Sequence, residues 1–210
     1  IEERGVSAKY GGMEYEIIGA LGSCCGVGDL GAVAEGSQLV NQYVLDGISA
    51  GVAIAFAMEA YENGVLTKAD TDGIDLTFGN ADAMLAMIHK IGKREGLGDL
   101  LADGVKIAAE KLGQGTEAFA NHVKGQELPM HEPRGKVGVG LGYAISPTGA
   151  DHMEAIHDPS FEAFGTFDEG FETLGMLEPV DRMELSPKKV RAFFVAQQVW
   201  SLYNSVGMCD

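Results

Sequence analysis

Two short runs of this sequence combine a helix end, a turn and a side chain able to bind a ligand. One is Asn204-Ser205-Val206-Gly207-Met208-Cys209, where a long apolar helix pattern runs into a glycine and then a cysteine. A turn of this type presents backbone N–H groups to an anionic ligand, and a thiolate beyond it can bind iron. The other is Asn41-Gln42-Tyr43-Val44-Leu45-Asp46, which ends with Asp in place of Cys. We expect the mostly helical chain between the two runs to bring the two turns together.

The remaining two cysteines, Cys24 and Cys25, are adjacent in the sequence. Vicinal cysteines rarely chelate one metal well, so we expect them to be structural. Three cysteines in 210 residues do not make a disulfide framework, which favours a reducing, cytoplasmic environment. Because the chain begins at Ile1 and stops one residue after Cys209, we expect it to be a piece of a longer polypeptide.

The sequence is strongly acidic, with 31 Asp and Glu against 15 Lys and Arg and a net charge of -16. The phosphates of nucleic acid and the head groups of an anionic membrane would be repelled, so neither is an expected partner. No apolar run reaches the roughly 18 residues that a membrane span needs. The composition therefore favours a globular protein with one large or two small domains.

Hydrophobic periodicity predicts a mainly α protein with few or no strands. The run from Ile48 to Tyr61 is apolar almost all round, which predicts a buried helix. Other helices are predicted after the capping residues Asp29, Asn80, Asp99 and Ser186.

Three stretches lack this helical period. Residues 13–18 alternate apolar and acidic residues and predict a short strand or an extended segment. Residues 19–28 are rich in glycine and predict a loop. From Lys124 to Gly149 the chain is rich in glycine and proline, as in segments that line sites or join domains.

An ordered set of motifs covers nearly the whole chain. Its members are Glu14-Tyr15-Glu16, Leu21-Gly22, Asp46-Gly47-Ile48-Ser49-Ala50-Gly51, Tyr61-Glu62-Asn63-Gly64, Asp72-Gly73, Phe78-Gly79-Asn80, Arg94-Glu95-Gly96, His122-Val123-Lys124-Gly125, Glu127-Leu128-Pro129, Pro133-Arg134-Gly135, Ser146-Pro147 and Gly149-Ala150-Asp151-His152. In this order the motifs resemble the aldehyde ferredoxin oxidoreductase family. The resemblance implies two helical domains packed together, with residues 1–124 as domain 2 and residues 125–210 as domain 3. The family's N-terminal β domain is absent from this sequence.

The resemblance also implies cofactors. Family members hold a tungsten, or sometimes molybdenum, ion between two pterins (a bis-molybdopterin) beside a [4Fe–4S] cluster. Three cluster cysteines come from a C-x2-C-x3-C run, expected upstream of this chain, and the fourth corresponds to Cys209. The family's two pterin-binding turns read Asp-x-x-Gly-Leu-Asp and Asp-x-x-Gly-Leu-Cys. They match Asn41 to Asp46 and Asn204 to Cys209, which makes Asn41, Asp46, Asn204, Gly207 and Met208 the implied cofactor-binding residues.

This sequence departs from the family pattern within both turns. Asn replaces Asp at both lead positions, Val44 replaces Gly in the first turn, and Met208 replaces Leu in the second. Asn keeps an acceptor and adds a donor but loses the charge. The departure indicates a branch distant from the best-known aldehyde enzymes.

The resemblance further implies two proton-transfer residues, Glu16 beside the metal and His152 beside the substrate. A carboxylate in a dry pocket has a raised pKa, and an imidazole titrates near neutral pH, so both suit that role. Taken without the resemblance, Glu14 and Glu16 are better interpreted as solvated acids on a loop, and His131 and His157 compete with His152 for its role. Likewise, Asp46 alone is more often a helix cap and Cys209 alone a buried apolar residue.

By resemblance, the complete enzyme oxidises a small aldehyde to a carboxylic acid with oxygen from water and passes two electrons to ferredoxin. Its partners are then ferredoxin, the missing β domain and, in some family members, a second copy in a homodimer. A relative in the family instead reduces an aromatic coenzyme A ester, and a cofactor-free structural module is a third hypothesis. The isolated chain is expected to be inactive, because three cluster ligands and part of the pterin site lie outside it.

Overall fold

The computed structural model describes residues 4–154, 157–162, 172–176 and 178–208. Over this part the protein is mainly α, as predicted, and its strands form one short hairpin. The chain divides into two compact units, Ile1–Met130 and His131–Asp210. The boundary predicted at 124/125 lies in the turn of the hairpin, within the first unit. The assignment of residues 1–124 and 125–210 to two domains of the family stays a prediction.

From residue 4 onward, the first unit is built from six α-helices and the hairpin. In chain order they are α1 Tyr15–Ile17, α2 Leu30–Tyr43, α3 Gly47–Glu62, α4 Ala81–Lys93, α5 Leu97–Leu101, α6 Val105–Leu112, β1 His122–Val123 and β2 Gln126–Glu127. The backbone of α1 continues without a break into a π-helix over Ile18–Cys24. The strands are antiparallel, with His122 opposite Glu127.

Helix α3 lies at the centre of this unit. Nine of its sixteen residues are buried, among them Ile54, Phe56 and Met58, as expected for a helix without a polar face. It packs against the π-helix, α2, α4, α5, α6 and β2. A Cβ on Gly51 would lie 2.6 Å from the Ala20 backbone, so glycine is what allows the π-helix to approach this closely.

The described part of the second unit contains α7 Val137–Ile145, a 3-10 turn Asp158–Phe161 and α8 Pro187–Val206. Ser186 caps α8 with its hydroxyl and Pro187 opens it, as predicted. Its small core consists of Phe161, Met176, Val180, Ala192, Val195 and Ala196. No single helix in the described ranges is long and apolar enough to cross a membrane. Helices α2 and α3 satisfy length and composition only as a pair, which is bent by 117°.

Several sequence predictions need correction. Residues 13–28 are neither a strand nor a loop, since α1 and the π-helix occupy most of them. The segment after Asp99 is not capped by it, because Asp99 lies inside α5 and a break precedes α6. Within the stretch from Lys124 to Gly149, the short helix α7 gave no periodic signal because four of its nine residues are small or glycine.

Candidate functional site

Glu16 lies on α1 and is half-buried. Its Oε2 accepts a hydrogen bond from the Met130 N–H at 2.7 Å. The neighbouring Tyr15 hydroxyl donates to the Met130 carbonyl at 3.3 Å. The carboxylate is therefore fixed by backbone at the end of the first unit and is not a freely solvated acid, which removes that alternative.

Cys24 and Cys25 end the π-helix beside this carboxylate. The buried Cys25 thiol contacts the carbonyls of Ala20 and Gly51 at 3.4 and 3.5 Å. Burial raises the pKa of Cys25 far above its usual value, and burial together with the charge of Glu16 raises the pKa of Cys24. Buried thiols of raised pKa are unreactive, which suits a structural role for this pair.

The first candidate turn is the C-terminal cap of α2. Val44 adopts the left-handed conformation, with φ 57° and ψ 42°. Its N–H bonds to the Asn41 carbonyl at 3.2 Å, and the Leu45 N–H bonds to the Val40 carbonyl at 2.9 Å. The turn therefore closes the helix as a Schellman motif.

The second candidate turn closes α8 in the same way. Gly207 has φ 72° and ψ 26°, its N–H bonds to the Asn204 carbonyl at 3.3 Å, and the Met208 N–H bonds to Tyr203 at 3.0 Å. The predicted likeness of the two turns is therefore a likeness of backbone conformation. Cys209 lies outside the described residues.

The prediction that these turns present backbone N–H groups to a ligand is wrong for the N–H groups of the cap residues. These are Val44 and Leu45 in the first turn and Gly207 and Met208 in the second. In both turns the N–H groups of the left-handed residue and of the next residue are used by helix carbonyls. The cap geometry itself requires these bonds. Ligand binding must instead use side chains and the backbone beyond the cap.

The side chains of the two turns suit a ligand rich in hydrogen-bond donors. The Asn41 amide nitrogen donates to the Ser37 carbonyl at 2.8 Å, and that of Asn204 to the Met153 carbonyl at 3.4 Å. Since the nitrogens are used inside the protein, the amide oxygens are the atoms able to accept from a pterin. All of the implied pterin-binding residues are exposed: Asn41, Asp46, Asn204, Gly207 and Met208. The side-chain oxygens of Asn41, Asp46 and Asn204 are therefore acceptors that fit the N–H donors of the pterin that the resemblance implies.

Asp46 also has a structural role. It is the N-cap of α3, where its Oδ1 accepts from the Ser49 N–H at 2.7 Å. Asp46 is thus a helix cap, the alternative role that the sequence alone favoured. It leaves the second carboxylate oxygen to serve a ligand, so the two roles are compatible.

Three histidines of the second unit form one cluster. The ring centroids of His131 and His152 are 4.9 Å apart, those of His131 and His157 are 4.1 Å apart, and His152 and His157 are 5.9 Å apart. From the sequence, His131 and His157 were alternatives to His152 for the proton-transfer role. The structure places them together, with His131 between the other two.

Contacts within the cluster restrict its protonation. The Lys136 ammonium lies 2.8 Å from His131 Nδ1 and can only donate, so this nitrogen is an acceptor. His157 Nε2 donates to the His152 carbonyl at 3.0 Å. Burial is the main cause that lowers the pKa of His157, and the nearby cations lower it further. His157 is therefore harder to protonate than an exposed histidine.

The predicted site residues are divided between the two units. Glu16, Asn41 and Asp46 belong to the first, while His152, Asn204, Gly207 and Met208 belong to the second. Sequence reasoning missed Met130, which contacts Glu16. The only signal for it was its place directly after the motif Glu127-Leu128-Pro129.

Comparison with known families gives a match along the full chain. The family description "Aldehyde ferredoxin oxidoreductase, domains 2 & 3" matches residues 1–210.

Curated relatives agree with this match. The chain is 37% identical over 201 residues to the tungsten-containing aldehyde ferredoxin oxidoreductase of Pyrococcus abyssi, covering 94% of the chain and 31% of the relative. It is 33% identical over 164 residues to the aliphatic sulfonate oxidoreductase, WOR-like subunit, of Pyrococcus furiosus, covering 75% of the chain and 26% of the relative. The chain thus spans about a third of the length of the first of these.

One solved structure is also similar. It is the active site complex BamBC of benzoyl coenzyme A reductase in complex with 1,5-dienoyl-CoA, at 30% identity and a TM-score of 0.57. The match covers 68% of this chain and 22% of that one.

Proposed function

Because the chain belongs to the aldehyde ferredoxin oxidoreductase family, we propose that it is the helical part of an enzyme that oxidises an aldehyde to a carboxylic acid. The chain matches domains 2 and 3 of the family. Since it spans 31% of its curated tungsten-containing relatives, the activity belongs to the longer protein.

The observation that carries this proposal is the pair of matching helix ends. Two turns of one conformation, each led by Asn, suit two copies of one ligand, as a bis-pterin requires. Asn41 and Asp46 would hold one pterin through their side-chain oxygens. Asn204 would hold the other through its amide oxygen, with Gly207 and Met208 offering only carbonyls and the Met208 side chain, because their N–H groups close α8. Cys209 would be the single [4Fe–4S] ligand that this chain supplies.

The tungsten or molybdenum bis-pterin supplies the redox chemistry when bound. The chain's own residues would position the substrate and move protons. The Glu16 carboxylate, fixed by the Met130 N–H, would exchange a proton at its remaining oxygen. His152 would do so through its ring, with His131 and His157 beside it as the next carriers.

A second candidate is reduction of an aromatic coenzyme A ester. It is favoured by the similarity to the benzoyl coenzyme A reductase complex. The Asn at both lead positions is consistent with a branch distant from the aldehyde enzymes. One assay separates the two candidates, because one substrate is oxidised and the other is reduced.

The complete enzyme would also have a defined electron acceptor, assembly and cellular compartment. Ferredoxin is the proposed electron acceptor, the N-terminal β domain would complete the pterin site, and a homodimer is the proposed assembly. The acidic composition and the small number of cysteines, too few for a disulfide framework, favour the cytoplasm.

The experiment is an anaerobic assay of the full-length protein with acetaldehyde and ferredoxin, and in parallel with benzoyl coenzyme A and a low-potential reductant. We expect aldehyde-dependent reduction of ferredoxin. Glu16→Gln and His152→Gln should each lower kcat by about 10²-fold or more, the usual contribution of a positioned proton-transfer group. Glu14→Gln, which changes an exposed acid of the same run, is the control. Turnover of the coenzyme A ester alone would establish the second candidate and overturn the first.

A further inference from the structure

Met130 contacts the segment that carries Glu16 through both its backbone and its side chain. Its N–H holds Glu16, and its carbonyl accepts from Tyr15. Its thioether sulfur lies 3.6 Å from the Cys24 thiol. Three residues of one helical segment therefore converge on a single methionine.

Gly19 provides the space in which this methionine sits. A Cβ built on Gly19 would lie 2.3 Å from Cγ and 2.8 Å from Sδ of Met130. These distances are far below van der Waals contact. A side chain at position 19 would displace either the methionine or the helical segment.

The π-helical backbone explains why Gly19 and Cys24 can contact the same side chain. They are five residues apart, and in an α-helix positions five apart diverge by about 140° around the axis. The wider turn of the π-helix, closed by bonds between residues five apart, returns them towards one face. Such turns are frequent at functional sites.

We propose that Met130 is a positioning residue for Glu16. Its side chain, seated on Gly19 and against Cys24, fixes the backbone N–H that holds the Glu16 carboxylate. The expected effect on turnover rests on the proposed function, whereas the effect on the position of the carboxylate does not.

The Cys24 thiol reports the position of this carboxylate independently of turnover. Burial raises its pKa first and the charge of Glu16 raises it further, with Glu14, Tyr15 and Cys25 as the other titratable groups in or next to the segment. In the full-length protein, the pH dependence of Cys24 alkylation, located by peptide mass spectrometry, measures this pKa. The difference between any variant and the same variant with Glu16→Gln isolates the contribution of Glu16.

The test variant is Gly19→Ala. Its matched control is Gly28→Ala, because a Cβ on Gly28 meets nothing within 4 Å. We expect Gly19→Ala to remove at least half of the contribution of Glu16 to the thiol pKa and to lower kcat about tenfold, part of the ~10²-fold effect of a proton-transfer group. Gly28→Ala should match the wild type in both. An unchanged contribution in a folded Gly19→Ala protein would overturn the proposal.

A second pair of variants decides the question if Gly19→Ala does not fold. Met130→Ala should reduce the contribution of Glu16, and Met130→Leu, which keeps most of the side-chain volume, should restore it. A wild-type contribution in Met130→Ala would overturn the proposal equally. If Glu16→Gln leaves kcat unchanged, the catalytic role of Glu16 is wrong, and the thiol measurement still decides whether Met130 positions it.

Discussion

The ammonium of Lys189 forms an ion pair with the carboxylate of Asp158 inside the second unit, where their side chains are 3% and 1% exposed. The same carboxylate accepts hydrogen bonds at 3.0 Å from the N–H groups of Gly138 and Val139, at the start of α7. One buried carboxylate thus joins the first turn of α8 to the first turn of α7. A charge removed from water in this way depends on its partners.

Replacing Lys189 with Met should therefore be costly. The change leaves Asp158 buried without its cation, and we expect the free energy of unfolding to fall by about 3–5 kcal/mol in urea denaturation. Lys188→Met is a matched control, because the adjacent Lys188 pairs with Glu178 while both side chains are more than half exposed. Breaking that pair should cost no more than about 1 kcal/mol. Equal losses in the two variants would contradict the buried-pair interpretation.

The protein should be less stable with Val44 in this turn than with glycine at the same position. The side chain is 90% exposed, so it gains little from burial, and a β-branched residue is strained at φ 57°. We expect Val44→Gly to raise the free energy of unfolding by about 1 kcal/mol, the order of the cost of a left-handed conformation. The reciprocal change Gly207→Val should lower it by a similar amount. Calorimetry of the two variants checks both signs, and a loss on Val44→Gly would show that valine is not strained.

Glu127 connects three elements of the first unit. Its buried carboxylate accepts from the Ser49 hydroxyl at 2.8 Å, in the first turn of α3, and from the Val105 N–H at 2.7 Å, where α6 begins. We expect Glu127→Ala to destabilise the unit by about 2–3 kcal/mol, because it leaves these donors without a charged acceptor. Glu110→Ala, on the exposed side of α6, is the control and should change stability by less than about 0.5 kcal/mol. Comparable losses in thermal unfolding would rule out a special role for Glu127.

The histidine cluster should make stability depend on pH. Burial and neighbouring cations lower the pKa of His157 in the folded state below the ordinary 6.5. The folded state therefore resists protonation, and the contribution of this residue is fully present above pH 6.5 and is lost as pH falls through the lowered value. NMR titration of the ring should give the lowered pKa. His157→Gln should flatten the unfolding profile below pH 6.5, and an unchanged slope would place the pH dependence elsewhere.

Much of the fold follows from local signals in the sequence. Asp29, Asn80 and Ser186 cap their helices with their own side chains, so neighbouring residues suffice to locate these helix starts. The π-helix does not follow from local signals. It packs closely against Gly51 of α3, a contact between segments that are separate in sequence and that no local pattern indicates.

In the candidate site, too, some features follow from local sequence and others depend on tertiary structure. The turns at Val44 and Gly207 could be predicted from neighbouring residues, because in both places a helical hydrophobic pattern ends at a short motif that begins with Asn. The contact of Met130 with Glu16 joins residues 114 positions apart, and no local pattern encodes it. The grouping of His131, His152 and His157 likewise depends on tertiary structure. The roles proposed for Cys209 and for Asn41, Asp46, Asn204, Gly207 and Met208 come from the family resemblance and from no local pattern.

The central claim is that this chain supplies part of a bis-pterin site and one ligand of an iron–sulfur cluster. It is tested most directly by the tungsten, molybdenum and iron content of the full-length protein, purified without oxygen from its natural host. We predict close to one tungsten or molybdenum per chain together with about four irons, the content of one [4Fe–4S] cluster. A well-folded protein with neither tungsten nor molybdenum would contradict the claim, and the roles proposed for Glu16 and His152 would fall with it.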